Sequence, residues 1–150
     1  MLQECEAAIV AKLLLEPLLV RSLRITAFPE TPPNDAADIR GDAVLFVRFS
    51  GLDLGEGGSS RCEFVQAGTM TFELHFLVRD LRTHIKGYHL MESAQRSLSG
   101  LRLESENGYS FGLPGLQMRS TTLAGWIKKS AVWHWIQSYE IPTRFEGEIL

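Results

Sequence analysis

The chain has 150 residues, the size of one domain and too few for two with separate cores. Apolar residues make up 45% and charged residues 22%, with eight Phe and three Trp, which excludes a disordered chain. The formal net charge of -3 excludes the basic footprint of a nucleic-acid binder.

Residues 2 to 16 carry Leu2, Cys5, Ile9 and Leu13 at spacings of three and four, the period of an amphipathic helix. Glu4 and Glu6 complement the helix dipole at its start, and Pro17 ends it. The apolar stretch Ala7 to Val20 is broken by Lys12, Glu16 and Pro17 and falls short of the ~20 residues that cross a bilayer. Glu4 and Glu6 also stand where a signal peptide would be basic, so neither export nor insertion is expected. From Ser22 to Phe28 the period becomes two, which predicts a half-buried strand stopped by Pro29. Residues Pro29 to Gly41, with Pro32 and Pro33, predict a non-regular connection.

Ala43 to Phe49 is short, almost wholly apolar and rich in β-branched and aromatic residues, the pattern of an inner strand. Residues 51–60 hold four glycines and two serines, whose ordering is entropically costly, and so predict a mobile loop. Leu52 and Leu54 would be its apolar anchors on a partner, with Asp53 and Glu56 available to meet basic groups. Thr69 to Arg79 alternates cleanly, with Met70, Phe72, Leu74, Phe76 and Val78 on the face expected to pack. Thr83 to Leu98 returns to helical spacing, and Gly100 is placed for a left-handed C-cap. A hairpin of strands near 116–123 and 130–141 follows, and its second strand sets Trp133, Trp135 and Tyr139 on one face. Residues 142–150 are expected to form a C-terminal arm. The whole predicts an α+β domain over 1–150, a mainly antiparallel sheet of four to five strands with two helices packed on it.

Few residues suggest chemistry. Cys5 and Cys62, the only cysteines, make no disulfide framework and suit a reducing compartment. His84 and His89 are five apart, which turns them roughly 140° from each other on a helix. His75 and His134 lie on the polar sides of two strands and can neighbour each other across a sheet, but no cysteine or carboxylate stands at a structural-zinc spacing. The glycine cluster lacks the Gly-Lys-Ser/Thr ending of a phosphate loop, and no serine sits in a nucleophile elbow. The carboxylates are scattered through loops. No catalytic residue, metal site or cofactor is expected. The aromatic strand can serve either as core or as a subunit-facing surface, and Trp133, Trp135, Tyr139 and Arg144 are the interface candidates.

The runs Ala27-Phe28-Pro29-Glu30-Thr31-Pro32-Pro33, Val47-Arg48-Phe49-Ser50-Gly51 and Phe72 to Arg82, with the helix from Gly87 to Gly100, resemble the tail-terminator proteins of Mu-like contractile-tailed bacteriophages. The resemblance covers most of residues 1–123 and fades in the hairpin around Gly125 and Trp126 and in the last ten residues. It implies a virion protein at the tail-neck junction, assembled in the host cytoplasm. That protein is a homohexameric ring that caps the tail tube and sheath, stops their growth and joins the tail to neck proteins. Genome DNA would pass through the ring without specific binding. A neck or tail-completion protein of the same virion is the neighbouring alternative, and a small ligand-binding or enzyme-accessory domain is the alternative from another class.

Overall fold

The computed structural model describes residues 2–27, 43–60, 63–79, 85–105, 107–128 and 131–148. Among the described residues three helices and seven strands follow one another as α1 (Leu2–Leu13), α2 (Pro17–Ser22), β1 (Arg24–Ala27), β2 (Ala43–Leu54), β3 (Gly58–Ser60), β4 (Glu63–Val78), α3 (Ile85–Leu98), β5 (Tyr109–Phe111), β6 (Gln117–Ile127) and β7 (Val132–Glu148). The strands form one sheet in the order β1-β2-β4-β7-β5, with β3 also on β4 and β6 also on β7. All ladders are antiparallel except β1 with β2. The fold is therefore α+β with a mixed sheet, larger than the four to five strands and two helices expected.

Alternation decides which side of the sheet is covered. Phe72 stands opposite Phe49 and Tyr139, Leu74 opposite Val47 and Gln137, and Phe76 opposite Leu45 and Trp135. These side chains share one face, and Cys5, Ile9, Leu13 and Leu19 from α1 and α2 pack on it with Leu90, Met91, Ala94 and Leu98 from α3. Tyr139 is wholly buried there and donates its hydroxyl proton to Gln137 Oε1 at 2.8 Å, while Gln137 Nε2 donates to the Met91 carbonyl at 3.0 Å. The opposite face carries a smaller buried cluster of Val44, Phe46, Leu77 and Val132, with Ile127 against it.

Several boundaries depart from the sequence reading. The helix expected over 2–16 stops at Leu13, and Pro17 does not end it but opens α2 at the first helical turn, where its missing N–H costs nothing, so Ser22 is helical. The strand expected over 43–49 continues through Gly51-Leu52-Asp53-Leu54, after a register shift at Phe49/Gly51. Residues 51–54 and 58–60 are therefore paired strand, and the loop expected over 51–60 shrinks to residues 55–57. The close approach of the two backbones is possible because residue 68 is glycine. A Cβ there would lie 1.9 Å from the Asp53 carbonyl oxygen.

Likewise, residues 142–148 are no arm but the far half of β7, laddered to β4 from Thr69 to Glu63. Pro142 is tolerated within this inner strand because it falls between two partners. Pairing with β6 ends at Glu140 and pairing with β5 begins at Thr143, and the Pro142 carbonyl still accepts from Gly112 N–H at 2.9 Å. Gly100 has φ +79 and closes α3 as expected. The connection expected over Pro29–Gly41 and the position of Cys62 lie outside the described residues. Among the described residues, no helix is long and apolar enough to cross a membrane.

Candidate functional site

The β4–β7 ladder is sixteen pairs long, and the helices cover only part of it. Its near end, from Met70 to Val78, is under α1 and α3; at its far end, Glu63–Ala67 with Arg144–Glu148, the short strands β3 and β5 pair alongside in the same sheet. Arg144 and Glu146 are exposed there and paired at 2.8 Å, and Tyr109 stacks on Phe145 with ring centroids 4.9 Å apart. Leu52 is half-buried opposite Met70 and packs on the core, so it is a root of this region and not a free anchor. Leu54 is half-buried opposite Gly68, and Asp53 and Glu56 are exposed. The structure thus brings Leu52, Asp53, Leu54, Glu56 and Arg144 to one end of the molecule.

Trp133 and Trp135 lie at the other end. Nine residue steps along β7 separate Trp135 from Arg144, about 30 Å at ~3.3 Å per step. Trp133 is half-buried with its ring 4.9 Å from that of Trp126. Trp135 is half-buried and meets Tyr88 of α3 edge to face at 5.8 Å. Leu123, opposite Trp135 on β6, is 45% exposed, Tyr88 45% and Trp126 39%. These five side chains form an apolar surface beside the start of α3. Tyr139 does not belong to it, because it is wholly buried under α3 and must be withdrawn as an interface candidate.

Sequence reasoning missed Leu123, Trp126 and Tyr88. The signal for the first two was a bulge: the register of β6 on β7 slips between Leu123 and Gly125, which returns Trp126 to the face of Leu123. Ala124 is the residue skipped in the register, and Gly125 beside it, with φ +149, takes up the turn of the backbone.

The sheet's second face holds a polar chain. His75 and His134 do meet across β4 and β7, with Nδ1 of His75 2.8 Å from Nε2 of His134. His75 Nε2 lies 3.2 Å from Glu73 Oε1, and Arg48 Nε lies 3.8 Å from the same oxygen. Because a carboxylate only accepts, the consistent arrangement has His75 donating to Glu73 and His134 donating to His75. Both rings are held below the ordinary histidine range, chiefly by burial; the Glu73 carboxylate partly opposes this, most directly at His75. Among the described residues no three His, Cys, Asp or Glu side chains come together to hold a metal.

The sign of the pH effect follows from the depressed values. Above the ordinary value of 6.5 both rings are neutral in the folded and unfolded chain and contribute no pH dependence. As pH falls through 6.5 the unfolded chain takes up protons before the folded one does, so stability declines. Thermal melts should show this decline, and His134→Gln should flatten it. Parallel curves for parent and variant would contradict the assignment.

No family model matches the sequence, and no curated protein does. The fold is similar to that of a chain in a solved structure titled "Virion of native gene transfer agent (GTA) particle", with a TM-score of 0.50 at 15% identity. The likeness covers 95% of this chain and 93% of that one.

Proposed function

We propose that the protein is a virion structural component that assembles as a ring of like subunits, and in particular a tail terminator that caps the tail tube and sheath and joins the tail to the neck. The observation that carries this reading is the placement of two different surfaces at opposite ends of one rigid ladder. The aromatic surface around Trp126 and the charged far end around Asp53, Glu56 and Arg144 would meet different neighbours in this reading. A subunit in a stacked ring has this need, since it meets both its own kind and other proteins. Whole-chain likeness in fold to a virion protein supports the reading, as does the tail-terminator resemblance of residues 1–123.

The protein acts without catalysis in this reading. Six subunits carry 6 × -3 = -18 formal charges, so a DNA duplex in the ring's opening would be repelled rather than held. A neck protein of the same virion would share these properties, and the two differ in what happens when the protein is missing. Particles made without it should have tails of uneven length that fail to join capsids. Tails of uniform length that still fail to join would point to the neck protein instead.

A further inference from the structure

The margin formed by β6 holds a short exposed stretch without charge. Among the described residues β6 pairs only with β7, and Arg119 through Ala124 are all exposed. From Ser120 to Ile127 the strand reads Ser-Thr-Thr-Leu-Ala-Gly-Trp-Ile, eight residues without a charge or proline. Edge strands left in water are ordinarily blunted by charge, proline, shortness or bulges, because unpaired backbone groups recruit other chains. Here two bulges, at Met118/Ser120 and Leu123/Gly125, bracket a regular stretch of four residues, Ser120–Leu123.

The opposite margin of the same sheet is β1, Arg24–Ala27, also four residues. It pairs only with β2 among the described residues, and Arg24 and Ala27 are exposed. Among the described residues the sheet therefore presents two strands of different sequence, β6 and β1, at opposite lateral margins.

We infer that β6 of one copy pairs with β1 of the next, so that the sheet continues from subunit to subunit around the ring. This rests on the ring reading above. An edge that pairs with a different edge makes a head-to-tail contact, and such contacts close into cyclic assemblies when the rotation allows. Strand addition supplies main-chain hydrogen bonds, and neighbouring side chains supply specificity. Leu123 and Trp126, exposed on the same face of β6, would be covered by the incoming subunit.

The test uses two singly substituted chains, Ala27→Cys and Thr122→Cys, each in a Cys62→Ser background, with the native Cys5 buried. Each is treated with a short bis-maleimide, alone and as an equal mixture, while ring formation is followed by native mass measurement. The expected result is rings in all samples and a cross-linked dimer in the mixture only. Rings with no cross-link in the mixture, or with cross-links in a single variant alone, overturn the edge pairing and leave the ring reading standing. A chain that forms no rings removes the ring reading and this inference with it.

Discussion

Phe76→Ala is expected to lose about 3–5 kcal/mol of folding stability, the cost of removing a large buried aromatic side chain and leaving a cavity. Phe76 has no solvent exposure, sits between Leu45 and Trp135 in the register, and belongs to the core that α1 and α3 cover. A domain of this size has roughly 5–15 kcal/mol in total, so the variant forfeits about a fifth or more. At roughly 2–4 °C per kcal/mol the melting temperature should fall by roughly 6–20 °C. A melt within a degree or two of the parent would mean that Phe76 does not face the helices.

Gly68→Ala is the second large effect, and it acts through backbone. The added methyl would lie 1.9 Å from the Asp53 carbonyl oxygen and 2.7 Å from Leu54 Cα, atoms that no side-chain rotation can move. The β2–β4 ladder must open at Asp53–Thr69 and Leu54–Gly68, at a cost of about 1–3 kcal/mol for overpacking. Because the clash lies where the ladder leaves the helical cover, the damage should be local. Amide exchange should quicken at residues 52–56 and 64–69 and stay slow at 72–78. Uniform quickening along β4 would show that the two halves of the ladder unfold together.

The contrast between these two halves also explains what could be read from the sequence. Met70, Phe72, Leu74, Phe76 and Val78 announce a strand because one face packs under helices, and burial forces the period of two. Gly51 to Leu54 and Pro142 to Glu148 continue the same ladders at the margin of the helical cover, where Leu52 and Thr143 are covered but Asp53, Pro142, Arg144 and Glu146 are exposed, so the apolar alternation fades. Glycines and a proline there looked like loop. What held them as strand was pairing with β4, a long-range fact invisible to a local pattern. The candidate sites divide in the same way. Trp133 and Trp135 were legible from alternation on β7, whereas Trp126 depended on a bulge in β6, and Tyr139 could not be told from its neighbours on the same face until α3 was seen to cover it. His75 and His134 were placed on the polar sides of their strands, and the register of β4 on β7 then made them neighbours.

The central claim is that like subunits close into a ring, and native mass measurement of the purified chain tests it most directly. Six chains of 16.8 kDa give a species of about 101 kDa, and images of that species should show sixfold symmetry about an open centre. A stable dimer that persists as the protein is concentrated, and that remains a dimer in finished particles, would contradict it.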